Sequence, residues 1–327
     1  MHLTEVLDEA RARPWAVQPW ARDLLDALPD RLGAVLSRWE LTVVRTFADG
    51  AELPVLEVHG RTTGPAVLKL GGHGSDHAQQ VRILRAADGN GYVRVLEQAD
   101  DLGAVLLERL GPSLWASVPD PVAQSLTLAD LLPTTWELPV AVGTPFTPTQ
   151  KATSLLALVD GALESLLANG VLEGASGGVL EGAGGGQGER EVLERARALA
   201  LELIAAPSPR QVVLHGDPHP GNVLRRGPEH VFIDPDGFLG EPEYDVGVAL
   251  RDHQQVIDDL DQREGVGAGR RWHAALVVQL AERLELDAER IAAWAALERV
   301  TTGIHLGNLG WTEESAAWLR TAQRMLR

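Results

Sequence analysis

Apolar residues recur at helical spacing near the start of the chain. Leu24, Leu25, Leu28, Leu32, Val35 and Leu36 predict one or two helices within residues 1–39, a stretch that also holds Trp15, Trp20 and Trp39. The period then shortens. Residues 41–47 and 53–59 read as strands around the turn Ala48-Asp49-Gly50-Ala51, and Pro65-Ala66-Val67-Leu68-Lys69-Leu70 reads as a third. A loop over 71–75 leads to a helix at 76–87, stopped by Gly89-Asn90-Gly91. Strands at 93–98 and 104–108 complete a small α+β lobe that closes near Leu110.

Beyond that point the pattern is mainly helical, at 126–132, 149–167, 191–205, 245–252, 271–284, 287–306 and 313–326. Residues 170–190 are Gly-rich and are expected to form a flexible surface loop. A short strand at 211–214 precedes a hairpin of 223–226 with 230–233, turned at Gly227-Pro228-Glu229. The expectation is therefore an α+β, bilobal chain. Residues 1–110 form an antiparallel-sheet lobe with leading helices, and 111–327 form a larger helical lobe.

Chemistry enters at His215-Gly216-Asp217-Pro218-His219-Pro220-Gly221-Asn222, with Asp234 twelve positions past Asn222. Phosphoryl transfer in the kinase manner needs one carboxylate to take the hydroxyl proton, and an amide oxygen and a second carboxylate to hold Mg²⁺. The His, the Asp and the five-residue step to Asn match the kinase catalytic loop, with Gly216 in place of its Arg. Asp217 is the expected base, and Asn222 and Asp234 are the expected Mg²⁺ ligands, hard oxygen donors that suit this ion. Each residue alone has a plainer explanation, as a turn or cap residue; the three at matching spacing do not. Lys69, at the end of an apolar strand, matches the lysine that contacts the α/β-phosphates. Its partner is open between Asp76 and the neutral Gln80. The segment 106–110 lies where Glu108 and Leu110 would offer backbone groups to adenine. Asp245 begins a helix, as an N-cap or as the kinase aspartate that hydrogen-bonds the catalytic loop. A zinc-hydrolase cluster of His215, His219, Asp217, His230 and Asp234 is disfavoured. The chain has no H-E-x-x-H, and Pro218 and Pro220 spoil a helical ligand face.

Composition narrows the partners. The chain has 327 residues, 45% hydrophobic and 23% charged, enough for two lobes with real cores. With no cysteine, disulfides and thiolate metal sites are excluded. No basic n-region with an apolar run starts the chain, and no segment is apolar enough to span a bilayer, so a cytoplasmic setting is expected. A net charge of −17 argues against nucleic acid and anionic membranes, and it suits a cationic small substrate. Of 29 basic residues only Lys69 and Lys151 are lysines, which makes the retained strand lysine informative.

With those residues in place the chain resembles the aminoglycoside phosphotransferase superfamily, in particular its streptomycin 6-phosphotransferase and hydroxyurea phosphotransferase branch. The likeness rests on 66–70, Gly89-Asn90-Gly91, 106–110, 213–224, Ile233-Asp234-Pro235, 240–246 and 289–294, and it covers most of the chain. It implies a protein-kinase-like fold, ATP with Mg²⁺, and transfer to a hydroxyl of a small molecule, a resistance kinase for an aminoglycoside or aminocyclitol. It also implies that the acidic stretch holding Asp252, Asp258, Asp259, Asp261 and Glu264 lines the acceptor pocket, with Asp252 nearest the core motif. Gln80 stands about where the family has Glu, and Asp236 where it has Lys. The rival expectations are a metabolic kinase for an amino sugar or amino alcohol, and a nucleotide-binding regulator without turnover.

Overall fold

The computed structural model describes residues 3–12, 16, 21–47, 53, 55–71, 76–172 and 185–326. In chain order its elements are α1 (Leu3–Arg11), α2 (Ala21–Arg38), β1 (Leu41–Phe47), β2 (Val55–Gly60), β3 (Gly64–Leu70), α3 (Asp76–Ala87), β4 (Val95–Ala99), β5 (Ala104–Glu108), α4 (Leu114–Ser117), α5 (Pro121–Trp136), α6 (Gln150–Leu172), α7 (Gly185–Ala205), β6 (Val212–Val213), β7 (Val223–Arg226), β8 (Glu229–Phe232), β9 (Leu239–Gly240), α8 (Pro242–Arg251), α9 (Gln254–Glu264), α10 (Ala268–Leu284), α11 (Ala288–Asn308) and α12 (Thr312–Met325). The expected turn at 48–51 lies outside the described residues, as do 72–75 and 173–184.

Two compact units result: Met1–Pro112 with Leu224–Gly237, and Ser113–Val223 with Phe238–Arg327. The first carries a five-stranded antiparallel sheet in the order β1-β2-β3-β5-β4. Alternation sets its faces. On β3, Ala66, Leu68 and Leu70 are buried with Leu28, Leu32, Val35, Leu56 and Leu106, while Val67 and Lys69 point to the opposite face. The second unit is mainly helical. Its central helix α11 starts at an Asp287 cap, whose carboxylate accepts from the N–H groups of Glu289 and Arg290. Ile291, Trp294, Leu297 and Val300 of α11 are buried, and the helix packs against α6, α7, α8, α10 and α12.

Three boundaries differ from the sequence expectation. The hairpin does not stay with the residues around it. Val93 N–H donates to Phe232 O (2.9 Å), Phe232 N–H to Gly91 O (2.8 Å) and Gly111 N–H to Arg225 O (2.7 Å). Main-chain bonds distant in sequence thus assign Leu224–Gly237 to the sheet unit, and the contiguous split at 110/111 gives way to one interrupted by that hairpin. Helices α6 and α7 run into the Gly-rich stretch from both sides, to Leu172 and from Gly185, so the described ends of the expected 170–190 loop are helical, and 173–184 lie outside the described residues. Finally, the acidic stretch after α8 is helix α9. It is anchored by buried Ile257, and Asp261 accepts from the N–H groups of Gly267 and Gly269 at 3.0 and 2.9 Å.

Candidate active site

In the N-terminal unit the site grows from β3. Its register pairs Lys69 with Val105 of β5, which holds the lysine in the centre of the sheet. Lys69 Nζ donates to Gln80 Oε1 of α3 at 3.2 Å and to Asp234 Oδ1 at 2.6 Å. Lys69 is 12% exposed and Asp234 36%. Among the described side chains of α3, Gln80 is the partner of Lys69; the side chain of Asp76 lies outside the described residues. A neutral amide is a weaker acceptor for an ammonium than a carboxylate, which leaves Asp234 as the stronger of the two holds.

Asp234 follows β8 and has φ +55°. That left-handed conformation is uncommon for a residue with a Cβ, and such strain gathers where function needs it. The turn is held from α3, where Gln79 Nε2 donates to Gly237 O at 2.6 Å. Glu108 uses its carboxylate inside this unit, accepting from Arg94 N–H at 2.8 Å with Arg226 Nη1 at 3.4 Å. Leu110 is buried, and its carbonyl accepts from Arg109.

In the C-terminal unit, β6 pairs antiparallel with β9 and delivers the catalytic-loop sequence. Gly216 has φ +92°, a conformation that glycine reaches freely and a side chain resists. That explains Gly where the kinase template has Arg. Asp245 lies within the first turns of α8, and the N-cap is Glu241. Its Oδ2 accepts from His215 N–H (2.9 Å) and Trp136 Nε1 (3.0 Å), and its Oδ1 from Gly216 N–H (2.9 Å). Burial pushes the Asp245 carboxyl up to about 6 against the pull of those donors. Its place is thus the kinase-type brace of the loop and not a cap.

The loop is also braced from within. His215 Nδ1 accepts from Asp217 N–H (3.2 Å) and His219 Nδ1 from Gly221 N–H (3.1 Å), so both imidazoles serve the backbone. That second bond leaves the His219 proton on Nε2, which faces Asp217 Oδ2 at 3.6 Å. Trp115 of α4 stands beside this turn, its ring centroid 5.9 Å from that of His219. A Cβ on Gly221 would come within 2.7 Å of His219 and 3.1 Å of Trp115, so glycine is required there by close approach. Asn222 Nδ2 donates to Asp217 O at 3.0 Å. That bond orients the carboxamide, with its oxygen on the opposite side as an acceptor.

Asp217 Oδ1 is held by Arg251 Nη2 of α8 at 2.5 Å. Burial alone raises the Asp217 carboxyl, but Arg251, His219 and His215 overcome it and hold the group below its ordinary range. Sequence reasoning missed Arg251 altogether. No motif spacing marks it, since it meets Asp217 only through the packing of α8 on the loop. Asp252 is held by Arg251 Nε at 3.3 Å through Oδ1. The acidic residues of α9 are largely committed to structure: Asp258 accepts from Arg324 and Thr321, Asp259 from Gln255, and Asp261 from backbone N–H groups.

A sheet unit with a strand lysine, and a helical unit whose His-Gly-Asp loop is braced by a helix aspartate, define the kinase-like class of phosphotransferase folds. The family model for aminoglycoside/hydroxyurea antibiotic resistance kinases matches residues 38–321, and the chain belongs to that family. It is 32% identical to a streptomycin 6-kinase of Streptomyces glaucescens over 313 residues, 94% of this chain and 89% of that protein. It is also 32% identical to a hydroxyurea phosphotransferase of Kitasatospora aureofaciens over 278 residues, 84% of this chain and 71% of that one. Among solved structures, an aminoglycoside phosphotransferase APH(4)-Ia in ternary complex with ADP and hygromycin B shares the fold. Its TM-score is 0.57 at 13% identity, over 88% of this chain and 97% of that one. Among the described residues no helix is long and apolar enough to cross a membrane.

Proposed function

We propose that this protein moves the γ-phosphate of ATP to a hydroxyl of a cationic small molecule of the aminoglycoside or aminocyclitol type. The observation that carries the reading is the state of the His-Gly-Asp loop. Arg251 fixes Asp217 by Oδ1, His219 Nε2 stands 3.6 Å from its Oδ2, and Asn222 is oriented by an N–H bond to Asp217 O that turns its oxygen toward a ligand role. Membership of a resistance-kinase family supports it independently.

In this reading Asp217 orients the acceptor hydroxyl and takes its proton late, as the new O–P bond forms and the bond from phosphorus to the ADP oxygen breaks. Lys69 contacts the α/β-phosphates, and the main chain at Glu108 and Leu110 serves adenine. Asn222 and Asp234 are the proposed Mg²⁺ ligands: each offers a hard oxygen, and the ion is usually held by few protein groups completed by phosphate and water. When bound, the ion would neutralise charge on the β- and γ-phosphates. Asp252, with Oδ1 taken by Arg251, keeps one oxygen for an acceptor ammonium. The net charge of −17 favours cationic acceptors, whose charge is of opposite sign. Dependence on ATP is the support for a cytoplasmic setting.

The test is mass spectrometry of reactions with ATP, Mg²⁺ and a panel of streptomycin, other aminoglycosides, hydroxyurea, amino sugars and amino alcohols. The expected outcome is a gain of one phosphate on an aminoglycoside. A gain on a simple amino sugar or amino alcohol alone selects the metabolic-kinase alternative. A thermal shift with ATP and no phosphorylated product selects the nucleotide-binding regulator that Gln80 brings to mind.

A further inference from the structure

Arg251 is the last residue of α8, and all three of its guanidinium nitrogens are committed to carboxylates. Nη2 meets Asp217 Oδ1 at 2.5 Å, Nε meets Asp252 Oδ1 at 3.3 Å, and Nη1 meets Glu298 Oε2 at 3.6 Å. The side chain is 16% exposed. Glu298 is itself tied down: Tyr244 Oη donates to its Oε1 at 2.6 Å, and Lys151 Nζ lies 3.7 Å from the same atom. The main chain at Arg251 is fixed as well. Arg299, fully buried on α11, donates from Nε to Arg251 O at 3.1 Å and from Nη2 to Leu250 O at 3.0 Å.

Helix α8 therefore grips the loop twice. Near its start Asp245 takes the N–H groups of His215 and Gly216. Six residues on, about 9 Å along the axis at the standard rise, Arg251 takes the side chain of Asp217. The first grip sets the path of the backbone, and the second sets the carboxylate. A guanidinium is planar and presents its donors in a rigid fork, so three anchored nitrogens leave little freedom for the group they hold.

We propose that Arg251 is a positioning residue for phosphoryl transfer: it fixes the Asp217 carboxylate by Oδ1 and leaves Oδ2 as the oxygen that meets the acceptor hydroxyl. The proposal rests on the reading of Asp217 as the base. It differs from a role in which an arginine touches the transferred phosphate, because such a contact would require breaking one of the three carboxylate pairs.

The experiment compares Arg251→Met and Arg251→Lys with Asp217→Asn in the full chain. Streptomycin is the first acceptor probe, and ATP and ADP affinities are measured by calorimetry. Positioning predicts that Arg251→Met lowers kcat by roughly 10- to 100-fold, the scale of a misplaced catalytic group. KM for ATP and both nucleotide affinities stay within about 3-fold, because only transition-state geometry is lost. Arg251→Lys recovers part of the loss. A kcat within about 2-fold of wild type, alongside an inactive Asp217→Asn, overturns the positioning role and leaves the base assignment standing. Weakened ATP affinity with ADP affinity unchanged overturns it in favour of a γ-phosphate contact. Turnover retained in Asp217→Asn instead sinks the base assignment itself, and with it the inference. Should Arg251→Met fail to fold, Arg251→Lys and Glu298→Gln decide. Each loosens one anchor and is expected to lower kcat about 3- to 10-fold with KM for ATP unchanged, and wild-type kcat in both overturns the proposal.

Discussion

The two units hold their central charges in different ways. In the N-terminal unit, Lys69 shares a single ammonium between a neutral amide and Asp234, a partly exposed carboxylate. In the C-terminal unit, Asp217 is gripped by the half-buried guanidinium of Arg251, which also pairs with Asp252 and Glu298, while Arg299 holds the main chain at Leu250 and Arg251. An ammonium is a point charge on a flexible stem, so its partners can be exchanged for phosphate oxygens at small geometric cost. An arginine fork locked on three sides cannot rearrange without stranding buried charge. On the proposed roles, adaptability falls to the lysine that would meet the nucleotide and rigidity to the aspartate that would take the proton. That division suits a reaction in which the nucleotide arrives and leaves at every turnover while the base must always point the same way.

The largest expected break is Asp217→Asn, which keeps shape and removes the proton acceptor. A loss of about 10³-fold in kcat is expected, within the range for a positioned acid–base group, with ATP affinity little changed. Steady-state kinetics beside calorimetry separate the two quantities. Next is Asp245→Asn. Three N–H donors face its two oxygens, and an amide would turn an NH₂ toward one of them, so destabilisation by about 2–3 kcal/mol is expected in urea unfolding. Lys69→Met should weaken ATP affinity and lower kcat/KM for ATP by about 10-fold, the loss of one charge-assisted phosphate contact, without touching the acceptor KM. The mildest change sharpens the contrast instead of breaking it. Gln80→Glu gives Lys69 a charged partner on α3, and a gain of about 0.5–1 kcal/mol in thermal stability is the expected size for a partly exposed ion pair. A large fall in stability would show that the neutral amide is required where it stands.

Much of this was legible along the chain because the cues are local. Local hydrophobic patterning and turn residues gave β1, β5 and α3 with the observed ends, and β3 to within a residue at its start. The His-Gly-Asp loop and its Asn five residues on form one turn, so their spacing already expresses their geometry. The β7–β8 hairpin was readable from its Gly-Pro turn. The errors came where long-range contacts decide. The acidic run after α8 was assigned no helix, but Ile257 packs inward and Asp261 closes the end of α9, which makes it one. The hairpin sits with the sheet unit because Gly91, Val93 and Gly111, more than a hundred positions away, take its main-chain bonds.

The amino-acid order alone settled which chemistry the chain is equipped for, since residue type and short spacing within one loop are properties of the covalent chain. It also settled that a lysine stands on a sheet strand, because period-two alternation leaves it on the face opposite the core. Tertiary packing alone decided what each charge leans on: Gln80 and Asp234 for the lysine, Arg251 for Asp217, and Trp136 with two backbone donors for Asp245. Electrostatic partners are chosen by which helices lie side by side, and no local pattern encodes a contact between residues 217 and 251.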